Sequence, residues 1–175
     1  CLAHHPKVDG LPCTGSSPGG MYLYRTVNEA RPKPVVCEMG GKNPVVVTSS
    51  ADLDVATQGI VRGAFGLSGQ KCSATSRVYV EEEVYDDLID KLVDATETIA
   101  VGNPLEQGTF MGPVIDDAAV ERFEKAVDEV KNSGGQVHTG GVVLTEGDLA
   151  KGTYVAPTVV SAPLFARGLQ PRNPS

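Results

Sequence analysis

Two residues have the types that covalent chemistry on a carbonyl requires: Cys72, in GQKCSATSR (69–77), and Glu38, in PVVCEMGG (34–41). A cysteine nucleophile must be partly ionised, accessible and held on rigid supports. Cys72 lies between a helical pattern and a strand pattern, in the kind of turn that presents a side chain at a sheet edge. Gly66 and Gly69 permit close backbone approach there, and Lys71 favours a thiolate. Taken alone, Cys72 still reads first as a small buried hydrophobe, the common situation for a cysteine outside a disulfide.

Glu38 shifts that balance. It interrupts an apolar run and is followed by two glycines. A carboxylate so placed is exposed at a strand end, paired with Lys42, or held near an active site as an acid–base group. An open, glycine-flanked acid suits a general base that activates water, and a structural Glu38–Lys42 pair fits the same residues equally well. His4, His5 and His138 lack ligand spacing, so no metal site is expected. TGSSPGG (14–20) is glycine-rich but is neither GxGxxG nor a P-loop, and by itself it is a weak nucleotide signal.

The elements that must position these residues follow from periodicity. An extended segment ends at VDGLPCT (8–14). A helix is expected from about Pro18 to Arg31, stopped by Pro32 and Pro34. PVVCEM (34–39) and VVVT (45–48) read as short buried strands. Ser49–Asp52 supplies an N-cap for a helix running through Leu53, Ile60 and Phe65. RVYVEEE (77–83) is a strand, 83–100 an amphipathic helix, and 102–115 a Gly/Pro-rich loop. Asp116 or Asp117 caps a further helix to about Asn132, ended by Gly134–Gly135. GQVHTGG and TYVAPTVV are the last strand candidates. Alternation of this kind predicts an α/β fold with a largely parallel sheet flanked by helices.

The 175 residues suffice for a domain with a real core. A net charge of -7 and a pI near 4.9 argue against nucleic acid or an anionic membrane surface as partner. Glu81–Glu83 reads as a solvated helix start. No apolar run approaches the roughly 20 residues of a spanning helix, and no signal-peptide pattern opens the chain. Cysteines 1, 13, 37 and 72 show no CxxC spacing, which predicts a reducing, cytoplasmic setting in which Cys72 persists as a thiol. The chain opens at Cys1 and closes on LFARGLQPRNPS, a stretch without periodicity, so both ends are expected to be cut from a longer protein.

Taken in order, TGSSPGG (14–20), EMGGKNP (38–44), GQKC (69–72) with SRV after it, and MGP (111–113) resemble the NAD(P)-dependent aldehyde dehydrogenase superfamily. Glu38 precedes Cys72 by 34 positions, also similar to the family's spacing. The resemblance runs from about His5 to Val160. It implies an aldehyde dehydrogenase catalytic domain incomplete at both ends: 1–37 closing a dinucleotide-binding domain, 38–160 the cysteine-bearing domain, and 161–175 a divergent tail. It further implies Cys72 as nucleophile and oxyanion N–H donor, and Glu38 as the base that activates water. Gly15, Ser16, Gly20, Met39 and Gly40 would contact NAD or NADP.

QKCSA and EMGGKNP are most similar to the branch containing 1-pyrroline-5-carboxylate dehydrogenase, which oxidises glutamate γ-semialdehyde to glutamate. In that branch the residue matching Ser73 contacts the substrate's α-carboxylate. The implied partners are a small aldehyde and, for the parent protein, further copies of itself, with neither nucleic acid nor membrane. The alternatives are another semialdehyde or fatty-aldehyde dehydrogenase, or a non-catalytic structural or interaction segment. The chain departs from the family pattern at Cys13, where Phe is usual, and at Pro18. It also lacks an E-x-F-x-P motif after PTVV and the upstream asparagine of the oxyanion site. Residues 1–175 alone are therefore expected to turn over NAD poorly.

Overall fold

The computed structural model describes residues 2–29 and 31–162. They fall into two units, one within Cys1–Gly41 plus Lys71–Ser73, the other within Lys42–Gln70 plus Ala74–Ser175. Of the expected tail, residues 163–175 lie outside the described residues.

In the first unit, β1 (Leu11–Gly15) and β2 (Val35–Met39) pair in parallel, with Leu11 opposite Val35 and Gly15 opposite Met39. The connection between them is α1 (Ser17–Val27), the helical crossover that parallel strands require. Ser16 caps α1, its Oγ accepting from the Gly19 N–H at 3.3 Å, and Pro18 occupies the first turn. The helix ends at Val27, short of Arg31. Asn28 captures the chain there: its Nδ2 donates to the Tyr24 carbonyl at 2.9 Å and its Oδ1 accepts from the Lys33 N–H at 2.7 Å. The N-terminus of α1 lies close to β2. A Cβ on Gly20 would stand 2.7 Å from Met39 Sδ and 3.5 Å from Cys37 Cβ, so glycine is what permits the contact.

In the second unit, β3 (Asn43–Val47) and β4 (Thr75–Val80) form another parallel pair, joined through α2 (Leu53–Phe65). The register shifts at Asn43/Pro44, an irregularity that suits a proline lacking a ladder donor. Asp52 caps α2 by accepting from the Asp54 and Val55 N–H groups. The helix lies tight on β4, since a Cβ on Gly63 would meet Thr75 Oγ1 at 2.6 Å. After a 3-10 turn at Glu82–Val84 comes α3 (Tyr85–Glu97), which shares with α2 and β3 a core of Val47, Ile60, Leu88 and Leu92. Leu88 is fully buried.

A second apolar cluster, Met111, Val114 and Val155, packs with the first turns of α4 (Asp117–Asn132), whose N-cap is Asp116. The final strands, β5 (Gln136–Thr139) and β6 (Val159–Ser161), are antiparallel. Two of the three strand pairs are thus parallel and the last is not. Its connection carries only a 3-10 turn at Gly147–Lys151 and no crossover helix, so nothing in it carries the chain back to start a parallel strand. No described helix is long and apolar enough to cross a membrane.

Candidate active site

Every residue singled out for chemistry falls in the first unit. Glu38, Met39 and Gly40 lie at the C-terminal end of β2, Gly15 ends β1, and Ser16 and Gly20 open α1. Cys72 and Ser73, distant in sequence, group with them through the short segment Lys71–Ser73. Carboxyl ends of parallel strands, next to a helix N-terminus, are the usual ligand edge of an open α/β sheet.

Cys72 is exposed, which removes the reading of it as a buried small hydrophobe. Glu38 is exposed, opposite Thr14 in the β1–β2 register. Its neighbours along the strand, Cys37 and Met39, turn to the half-buried face. The alternation of β2 therefore delivers the carboxylate to solvent while its flanking residues pack. Ser73 is also exposed. A Cβ at Gly15 or at Gly40 would meet nothing within 4 Å, so both leave open surface beside Met39 and the N-terminus of α1.

The backbone on either side of Cys72 is held by residues that sequence reasoning did not single out. Before it, the chain leaves α2 through Gly66–Gly69, where Leu67 (φ 54°) and Ser68 (φ 57°) adopt left-handed conformations and Gly69 follows at φ 69°. Consecutive non-glycine residues in that region are costly and persist only where the surroundings enforce them. Here the enforcement is visible: Ser68 Oγ donates to the Gly112 carbonyl at 2.9 Å, and Gln70 Oε1 accepts from the Ile115 N–H at 2.9 Å. The turn Ser68–Gln70 before the cysteine and the segment Gly112–Ile115 are thereby tied together. After Cys72, Asn43 Nδ2 donates to the Ala74 carbonyl at 3.0 Å. The asparagine of EMGGKNP thus grips the chain two residues beyond the cysteine. The available signal was co-occurrence: three motifs far apart in sequence had to meet somewhere.

Comparison with known proteins gives the family and the fold. Residues 1–164 match the aldehyde dehydrogenase family. The 1-pyrroline-5-carboxylate dehydrogenase of Anoxybacillus flavithermus is 44% identical over 163 residues, covering 90% of this chain and 31% of that protein. The chain therefore spans about a third of the length of such relatives. The crystal structure of PnpE in complex with nicotinamide adenine dinucleotide is 30% identical with a TM-score of 0.91, over 97% of this chain and 35% of that one. A point mutant of betaine aldehyde dehydrogenase from Staphylococcus aureus, in complex with NAD+ and with a BME-modified cysteine, is 29% identical with a TM-score of 0.90 over the same shares. With its ordered motifs, parallel strand pairs and matched length, the chain belongs to the aldehyde dehydrogenase family.

Proposed function

We propose that this chain supplies the nucleophile and the water-activating base of an NAD(P)-dependent aldehyde dehydrogenase, oxidising an aldehyde to a carboxylic acid. The observation that supports the reading is that exposed Cys72 and exposed Glu38 fall within one unit. On this reading residues 1–37 close the dinucleotide-binding domain and 38–160 form the cysteine-bearing domain.

The Cys72 thiolate attacks the aldehyde carbon, forming a C–S bond and a tetrahedral oxyanion, and the Cys72 backbone N–H is a donor to that oxygen. NAD(P), when bound against Gly15, Ser16, Gly20, Met39 and Gly40, supplies the nicotinamide ring that accepts the hydride. The carbon left on Cys72 is then a thioester. Glu38 takes a proton from water, the water oxygen attacks the thioester carbon, the C–S bond breaks, and the acid departs as the thiolate returns.

The names of the relatives support glutamate γ-semialdehyde as the substrate of the full-length protein, with glutamate as product. Ser73, exposed directly after the nucleophile, is then a donor to the substrate's α-carboxylate. In the full-length enzyme Ser73→Ala should raise KM for glutamate γ-semialdehyde by about 10-fold or more, the worth of one hydrogen bond to a charged group. KM for propanal, which has no carboxylate, should not move. Equal effects on both aldehydes would remove the carboxylate role. The catalytic pair is tested by hydrolysis of an activated ester, which needs no cofactor. Cys72→Ala should reduce the rate to background, and Glu38→Gln should lower steady turnover by about 10²–10⁴-fold. Undiminished hydrolysis in either variant would contradict the assignment.

A further inference from the structure

Cys13 and Cys37 have no part in the reaction above, yet they face each other. They are register partners in the parallel pair β1–β2, so both side chains leave the same face. Their Sγ atoms are 3.4 Å apart and half-buried. Neighbouring strands stand about 4.8 Å apart, inside the Cα separation of roughly 4.4–6.8 Å at which disulfides close. Cys37 Sγ lies 3.6 Å from the Gly20 carbonyl oxygen, so the pair sits under the first turns of α1. Contact with Cys13, then burial, then the charge of Cys13 push the Cys37 thiol up from its ordinary pKa, as expected of two sulfurs sharing one site.

We propose that Cys13 and Cys37 form a reversible dithiol–disulfide site, closed by hydrogen peroxide and reopened by a small-molecule thiol. In closure, one thiolate attacks a peroxide oxygen; the S–O bond forms, the O–O bond breaks, and hydroxide leaves to become water. The second thiolate attacks the resulting sulfenic sulfur; the S–S bond forms, the S–O bond breaks, and a second water departs. Two electrons pass from the two sulfurs to the peroxide, and both thiol protons end in water. Reopening consumes two equivalents of the small thiol, which leave as their own disulfide. A pair of this kind in a reducing setting is a transient sensor, not a structural staple.

The bond would fasten the strand leading into Gly15–Ser16 to the strand carrying Glu38, beneath the turn that holds Gly20. Its consequence for catalysis rests on the function proposed above; the bond itself does not, and the experiment reads the bond alone. The protein is treated with hydrogen peroxide, alkylated, and digested with trypsin without reduction. Cleavage after Lys7, Arg25 and Lys42 separates residues 8–25, carrying Cys13, from 26–42, carrying Cys37; Arg31 and Lys33 precede proline and resist. The expected product is these two peptides linked, lighter by two hydrogens than their sum, and released by dithiothreitol. Cys13→Ser should abolish the linked species and leave Cys37 open to alkylation. Should that variant fail to fold, the wild-type map decides. Recovery of both peptides fully alkylated after peroxide has oxidised Cys72, or a linkage found only between two chains, would overturn the proposal.

Discussion

At the scale of single residues, the proposed chemistry rests on Cys72 and Glu38, and the backbone flanking Cys72 is held by neighbours with no part in that chemistry. Asn43 is the clearest case, because its side chain spans from the start of β3 to the Ala74 carbonyl. Asn43→Ala leaves that half-buried carbonyl without this donor, at a cost of about 1–3 kcal/mol. Urea denaturation should show the midpoint falling, and ester hydrolysis should fall with it even though Asn43 touches no reacting atom. The two residues proposed for the chemistry stand out in the sequence because their types are unusual where they occur: an acid in an apolar strand, a cysteine in a glycine-flanked turn. Their supports do not. Ser68 and Gln70 act through bonds to Gly112 and Ile115, more than forty positions away, and nothing local to GLSGQ announces such partners. The turn also departs from expectation in a particular way. The glycines Gly66 and Gly69 are expected to permit close backbone approach, whereas the left-handed angles fall on Leu67, Ser68 and Gly69, with Gly66 at φ -56° and Ser68 held by its bond to the Gly112 carbonyl.

At the scale of elements, capping and glycine geometry decide what single changes do. The Glu81 carboxylate, just after β4, accepts from the Ser49 N–H at 2.6 Å, tying the end of β4 to the turn after β3. That bond holds the Glu81 carboxyl below its ordinary value of 4.5. A depressed folded-state pKa means the bond's contribution is complete above 4.5 and disappears as pH falls through the folded value. Thermal melts should therefore show wild type above Glu81→Gln near neutrality, the two converging as pH drops below that range. Parallel curves across the whole range would contradict the assignment. Gly140 sits at φ +79°, and a Cβ there would collide with the Pro157 carbonyl oxygen. Gly140→Ala should cost at least about 2 kcal/mol, from left-handed strain plus the clash. The helices were legible from caps and apolar spacing, as Asp52 and Asp116 illustrate. Direction of the last strands was not. The alternation of elements predicted a largely parallel sheet, whereas the β5–β6 connection carries no crossover helix and the pair is antiparallel.

At the scale of the whole molecule, two kinds of information combine. The core of the second unit is ordinary packing: Leu88→Ala, at a fully buried site between α2, α3 and β3, should destabilise by about 2–5 kcal/mol in denaturant titration. The site is a matter of topology. The parallel pair β1–β2 joined by α1 puts two strand carboxyl ends and a helix N-terminus on one edge, and the segment Lys71–Ser73 groups with the same unit. The family was readable only because the motifs occur in a fixed order; no one of them implies the others. The central claim is that Cys72 forms the covalent intermediate and Glu38 resolves it. Intact-mass spectrometry of the Glu38→Gln variant after exposure to an activated acetyl ester tests this most directly. The account predicts one acetyl group per chain, mapped to the tryptic peptide CSATSR (72–77), persisting for far longer than in wild type and absent from Cys72→Ala. An unmodified chain, or an acetyl group equally abundant in Cys72→Ala, would contradict it.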